Sequence, residues 1–164
     1  MPVTQYYAGQ RITADGLNDL IPPSLQLSRT SAAIASSPTT YTAVSFDTVA
    51  SQNTASMWSV GQPTRIIAPY PGTFQIHGGI TWPATLSTAD GRAEVRFNGT
   101  GVPAPTSRCG TQRGSTGNMQ STFSGVVVFT AAGQYVEVFA NQNSGVSINI
   151  AVTFGLTRVS FASS

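Results

Sequence analysis

From Tyr41 to Phe161 apolar residues recur with a period of two, punctuated by Gly, Pro and Asn every eight to twelve residues. That pattern leaves few folds open. Successive side chains of an extended strand point to opposite faces, so alternation builds one buried face and one solvated face. Several such strands at this spacing, each bounded by turn residues, make a sandwich or a barrel. The clearest stretch is Val146 to Leu156, where Val146, Ile148, Ile150, Val152, Phe154 and Leu156 share one face and Ser147, Asn149, Ala151, Thr153 and Gly155 the other. Phe74, Ile76, Ile80 and Trp82 repeat the pattern around Gly78, and Ala93, Val95 and Phe97 oppose Glu94, Arg96 and Asn98. No longer repeat recurs, which disfavours a propeller or solenoid.

The period changes only at the front. Thr13 precedes Ala14 to Ile21, where Leu17, Leu20 and Ile21 fall three or four apart before Pro22 and Pro23, which predicts a two-turn helix capped by Thr13. A helix that short is unstable alone in water and has to dock on something. Ser24 to Thr40 is rich in Ser, Thr and Ala and reads as a linker. The expected organisation is residues 1–23 as an amino-terminal segment with a short helix, 24–40 as linker and 41–164 as a single all-β, antiparallel domain.

Two strands carry apolar residues on both faces. Val126, Val127, Val128 and Phe129 run without interruption, which predicts a strand covered from both sides. Tyr135 to Ala140 places Val136, Val138 and Ala140 inward and Tyr135, Glu137 and Phe139 outward. The outward aromatics suggest contact with another subunit. Between strands, Asp90-Gly91 and Asn98-Gly99 suit hairpin turns with positive φ, Pro71-Gly72 suits a type II turn, and Ala132-Gly133 and Ser144-Gly145 mark further breaks.

Charge sharpens the expectation of partners. Only 9% of the 164 residues are charged, against roughly 25% in an average soluble chain. All eight basic residues are Arg. Sheet edges of free monomers are commonly protected by Lys and other charges, so a lysine-free β protein is expected to have its edges covered by partners. The arginines are scattered, without the basic run or aromatic interleaving that tracks a phosphate backbone, so nucleic acid is not an expected partner. Met1 to Gln10 has neither a basic start nor an apolar stretch of the kind a signal peptide needs, and no run approaches the ~20 apolar residues of a transmembrane helix. Neither export nor membrane insertion is expected.

Catalysis finds little to work with. The only histidine is His77, at an outward-facing position of the Phe74 to Trp82 strand, and the only cysteine is Cys109, in a Gly/Ser/Thr-rich stretch without a partner thiol in the chain. One Cys and one His cannot supply a zinc site. The carboxylates Asp15, Asp19, Asp47, Asp90, Glu94 and Glu137 lack the spacing of a general acid/base pair or a cation loop. The glycines Gly110, Gly114 and Gly117 lead into no predicted helix and so make no phosphate cradle. Asn98-Gly99-Thr100 fits a glycosylation acceptor but makes an equally good hairpin turn. No cofactor, no metal and no enzymatic activity are expected.

Several segments resemble C1q-like globular domains in order along the chain. They are Phe46-Asp47-Thr48-Val49, Ile67-Ala68-Pro69-Tyr70-Pro71-Gly72-Thr73-Phe74, Phe97-Asn98-Gly99, Gly125 to Phe129, and Gly133-Gln134-Tyr135-Val136-Glu137-Val138. The resemblance to this C1q/TNF-like family implies an antiparallel jelly-roll sandwich that trimerises about a three-fold axis and buries aromatic and aliphatic residues between subunits. Val126, Val128, Tyr135 and Phe139 are the candidates for that interface. A collagen-like stalk, a cysteine pair and an acidic calcium cluster are all missing, so immune or cytokine roles are not implied.

The front end resembles a different group. Tyr6-Tyr7-Ala8-Gly9-Gln10-Arg11-Ile12-Thr13-Ala14-Asp15-Gly16-Leu17-Asn18 is similar to short amino-terminal segments of phage tail proteins. This implies attachment to a virion through Tyr6, Tyr7, Arg11, Ile12, Leu17, Leu20 and Ile21. The alternative is an amphipathic helix packed on its own sandwich. The resulting expectation is a non-enzymatic homotrimer in a phage virion, a minor tail or fibre-like protein bound to other virion proteins. Two further readings are a receptor-binding module for host-surface glycan, with Arg108, Arg113 and Asn118 on its contact loop and Trp82 or Tyr70 stacking on sugar, and a trimeric capsid decoration or head-fibre protein.

Overall fold

In a computed structural model of the chain, residues 21–84, 90–100, 108–110 and 119–161 are described. The predicted helix, except Ile21, lies outside them. Among the described residues there are ten strands: β1 Ser24–Ile34, β2 Thr42–Ala43, β3 Thr48–Gln52, β4 Arg65–Ile67, β5 Gly72–Trp82, β6 Gly91–Phe97, β7 Arg108–Gly110, β8 Met119–Phe129, β9 Tyr135–Gln142 and β10 Ile148–Phe161. One sheet has the order β3-β1-β10-β5-β8; the second has β2-β9-β6-β7, with β4 also pairing β9. Every ladder in the two sheets is antiparallel. The architecture is the antiparallel jelly-roll sandwich that the sequence predicts.

The core lies between the sheets. Leu27, Phe74, Ile80, Trp82, Phe123, Phe129, Ile150 and Phe154 from the first sheet meet Val95, Val136, Val138 and Ala140 from the second, and all are buried. Each such aliphatic or aromatic side chain stabilises the fold by about 1.5–3 kcal/mol. Aromatic edges add to this. Phe74 meets Phe129 edge-on with centroids 5.2 Å apart, and Phe154 lies between Phe46 and Phe123 at 6.0 and 5.7 Å.

Ser24 to Thr40 is not the expected linker. Ser24–Ile34 is a full strand whose Leu25, Leu27, Ala32 and Ile34 are core residues. It pairs β10 from Ser24↔Thr157 to Ile34↔Ile148, with an irregularity between Arg29 and Ala32. The Ser/Thr richness belongs to the outward half of the alternation, which disguises the strand as a loop. At the other end of β10, the strand begins at Ile148 rather than Val146, which is exposed beside Gly145 at φ 86.

Buried amides hold the crossover from β1 to the second sheet. Gln142, fully buried, donates from Nε2 to the carbonyls of Ile34 (3.1 Å) and Val146 (2.7 Å) and accepts the Ser144 N–H at Oε1 (2.7 Å). Asn141 Nδ2 donates to Ser37 O and Thr40 O, both at 2.6 Å. Backbone carbonyls that would be orphaned at the crossover are thereby satisfied. Asn98 and Gly99, at φ 48 and 77, form the expected positive-φ turn at the end of β6, closed by the Thr100 N–H donating to Phe97 O. Gly91 and Gly72 instead open strands.

Replacing Leu27 by Ala is expected to lower the unfolding free energy by about 2–5 kcal/mol, the cost of truncating a core leucine. Urea denaturation of Leu27→Ala measures this. A change below about 0.5 kcal/mol, the usual range for surface positions, would show that β1 is dispensable.

Candidate functional site

The outward faces of the two sheets differ in chemistry. On the second sheet, β6 and β9 bring charges together. Arg96 stands opposite Glu137 in the ladder and its Nη2 lies 2.6 Å from Glu94 Oε1. Glu137 accepts from Thr64 Oγ1 (2.6 Å) and Arg65 Nε (3.3 Å). Both carboxylates are almost wholly buried. The outer aromatics are part of this network: the Arg65 guanidinium lies 4.2 Å from the Tyr135 ring centre and that of Arg96 4.0 Å from Phe139.

The outward face of the first sheet carries no Asp, Glu, Lys or Arg at its ladder positions among the described residues. The register sets its rows: Gln26, Gly155, His77 and Ser124 lie side by side; Ser28, Thr153, Gly79 and Thr122 form the next row; Thr157, Gln75 and Val126 the row on the other side. Arg29, next to this face, turns to the sheet edge, where it donates to Ser45 O at 3.0 Å and lies 3.7 Å from Asp47. Arg158 points inward, donates to Pro71 O at 3.3 Å and stacks on Tyr70 at 4.7 Å. Burial pushes the Arg158 guanidinium below its ordinary pKa, against which the neighbouring Tyr70 acts.

Small residues shape this face. At Gly79 an added Cβ would come 2.9 Å from Ser121 O, and the bare backbone floors an open groove of about 380 Å³ lined by Ser28, Arg29, Thr30, Thr122 and Thr153, so that Arg29 is the one charged side chain of the described residues at its wall. At Gly155 an added Cβ would collide with the His77 ring. The imidazole of β5 therefore lies across the glycine of β10, a cross-strand cover that shields otherwise bare backbone. His77 faces outward as expected, in the middle of the uncharged face.

One end of the same face is apolar. Val126 (50% exposed), Val128 (58%) and Val159 (54%) project from β8 and β10, and Ile21 (53%) precedes β1 at that end. The register places Val128 and Ser160 on opposite sides of Thr73, so Val126 and Val128 are neighbours along β8 and Val159 lies across β5 from them. Within the subunit the Val126 to Phe129 strand is therefore covered on one side only, through Val127 and Phe129. Val126 and Val128 lie on the first sheet and Tyr135 and Phe139 on the second, so the four interface candidates are split between opposite faces. The uncharged face itself, with His77 and the glycines, was missed in the sequence, where it shows only as the polar half of each alternation.

The other predicted residues are less assembled. Tyr6, Tyr7, Arg11, Ile12, Leu17, Leu20, Arg113 and Asn118 lie outside the described residues, and Arg108 occupies the β7 position opposite Glu94. Trp82 is fully buried with Nε1 donating to Ser121 Oγ at 3.0 Å, and Tyr70 sits under Arg158. Trp82 is therefore unable to stack on a sugar. Among the described residues no His, Cys, Asp and Glu cluster could hold a metal ion, and no helix is long and apolar enough to cross a membrane.

No family model and no curated protein matches the chain. Its fold is nevertheless shared with solved structures. The globular domain of zebrafish complement 1qA protein aligns with TM-score 0.62 at 9% identity over 84% of this chain and 97% of its own. Vertex protein P5 of phage PRD1 aligns with TM-score 0.60 at 12% identity over 85% and 98%. Eiger TNF of S. frugiperda aligns with TM-score 0.56 at 12% identity over 88% and 96%. The domain is a C1q/TNF-like jelly roll. At these identities the likeness fixes the fold and nothing finer.

Gly155→Ala is expected to cost about 1–3 kcal/mol by overpacking against the imidazole. Combined with His77→Ala, the second change should recover at least 0.5 kcal/mol of that loss, the scale of coupling between touching residues. Strict additivity in thermal or urea unfolding of the two single variants and the double variant would mean that the ring does not lie on the glycine.

Proposed function

We propose that the chain is a non-enzymatic structural module of a phage particle, a homotrimer carried on a virion through residues 1–23. The observation that carries the trimer is the uncharged face of the first sheet with its valine-rich end. Only 9% of the residues are charged, and among the described residues none occupies an outward ladder position of the first sheet, with Arg29 at the wall of its groove, which leaves a broad face that another subunit can cover with little desolvation of ions. A three-fold ring uses different patches on its two sides, so Val126 and Val128 need not meet their own copies. The C1q/TNF-like fold supports this reading, as does the likeness to a phage vertex protein.

The attachment role of Tyr6, Tyr7, Arg11, Ile12, Leu17, Leu20 and Ile21 rests on their resemblance to phage tail segments. A tail or fibre-like position follows from that resemblance. The vertex protein's fold favours a second reading, a capsid decoration or head-fibre protein. Labelled chain on purified particles distinguishes the two by the site it marks.

Light scattering after gel filtration is expected to give three times the chain mass of 17.1 kDa, unchanged between low and high salt, because apolar and neutral contacts are little screened. A monomer at micromolar concentration would remove the trimer. Deleting residues 1–20 should leave that mass three-fold while abolishing incorporation into particles. Normal incorporation of the truncated chain would remove the attachment role.

A further inference from the structure

We infer that residues 14–21 fold back across the valine-rich end of their own sandwich and cover Val126, Val128 and Val159. The inference goes beyond the proposed function and needs neither the trimer nor the particle. Residues 1–20 lie outside the described residues, and Ile21 is where the chain enters them.

Six large apolar side chains are exposed among the described residues. Val60 and Val146 stand apart, each on a loop. The other four, Ile21, Val126, Val128 and Val159, gather at one end of the first sheet. Val126 continues the outward row of Ser24, Thr157 and Gln75. Val128 lies beside Thr73 in the next row, and Val159 falls in the β10 irregularity between Arg158 and Ser160. An exposed apolar cluster of this kind marks a contact surface.

The chain enters β1 at this same end. Pro22 O accepts from Asn53 Nδ2 at 2.7 Å, and Pro23 O accepts the Arg158 N–H at 3.0 Å, so the start of the strand is fixed beside Val159. The residue before a proline is disfavoured in helical geometry, so a preceding helix closes at or before Ile21.

Pattern and reach both match the patch. At about 100° per residue, Ala14, Leu17, Leu20 and Ile21 share one side of a helix while Asp15 and Asp19 fall on the opposite side. The carboxylates then stay in water as the apolar side meets the valines. Three strand spacings separate β1 from β8, about 14 Å, and a two-turn helix over residues 14–21 is about 12 Å long. Laid across the strands from Ile21, it brings Leu17 over β10 and β5 and Ala14 close to β8. A helix this short has no stability of its own in water; burying both apolar surfaces supplies it. A neighbouring copy or a virion protein would have to displace a segment tethered beside the patch at an effective concentration in the millimolar range. Leu17, Leu20 and Ile21 are then held on the sandwich, which leaves Tyr6, Tyr7, Arg11 and Ile12 to reach a particle and the rows from Gln26 and His77 onward to another subunit.

The test joins segment to patch in the full-length protein. Ala14→Cys and Val128→Cys are introduced together and treated with a short bis-maleimide, with Ala14→Cys plus Val60→Cys as the comparison pair. Peptide mapping by mass spectrometry tells the links from adducts of Cys109. The first pair is expected to link within one chain, at least about tenfold faster than the second, the advantage of a docked segment over a freely sampling tether. A link between two chains would put the segment on a neighbouring copy, and no link, or equal rates for the two pairs, would leave it off the sandwich; each overturns the fold-back. Hydrogen exchange reads the unsubstituted protein: amides of residues 15–21 are expected to exchange at least about tenfold slower than an unstructured chain, and exchange at the unstructured rate would overturn the fold-back as well. Light scattering on the same samples reports the trimer separately. A three-fold mass without the intrachain link removes the fold-back and keeps the trimer, and the link in a monomer does the reverse.

Discussion

The structure is organised by the position of β10. This strand pairs β1 along one edge and β5 along the other, so the last long segment of the chain is locked between its first and middle segments. Because side chains alternate, the two ladders fix which residues face the core. Ile148, Ile150, Val152, Phe154 and Leu156 enter it together, and a slip of one residue in either ladder would turn all of them to solvent. The same register carries Thr153, Gly155 and Thr157 to the outside, beside Gly79, His77 and Gln75. Core and candidate contact face are therefore two sides of one constraint.

Charge is separated by the sandwich rather than spread over it. Arg65, Glu94, Arg96 and Glu137 gather on the second sheet and are tied to one another or to Tyr135 and Phe139. The two carboxylates are buried while their arginine partners stay partly exposed, so each buried charge is offset by a guanidinium that keeps some water. The first sheet's outer face has hydroxyls, amides, glycines and valines. Such a surface costs less to dehydrate than an ionised one, provided its hydroxyls and amides find hydrogen-bond partners under the cover. Tyr135 and Phe139 show the opposite logic: their rings face outward, but guanidinium groups of the same subunit already cover them.

Gly155 and His77 show how a strand interior accommodates an unfavourable residue. Glycine in a strand weakens it through lost packing and greater chain entropy. Here the imidazole of the adjacent strand fills the missing side chain's place, and a larger residue would force the ring to shift. On the inner side of the same strand Gly78 gives room to the Phe123 ring and the Thr153 carbonyl.

Alternation in the sequence determined the all-β class, most of the strands and the inward set Phe74, Ile76, Trp82, Val136, Val138, Ile150 and Phe154, because a period of two is a local property that needs no knowledge of pairing. It also identified the Asn98-Gly99 turn, where positive φ selects residue type directly. It failed at β1, where Ser and Thr on the solvent side outweighed Leu25 and Leu27, and at Val146, which is apolar but lies in the turn. The candidate face was not legible at all. His77, Gly79, Gly155 and Val126 sit on three strands far apart in sequence, and they become neighbours only when β5 is paired to β10 on one side and to β8 on the other. Residue type sets which way a side chain prefers to face; only the tertiary register decides what it faces beside.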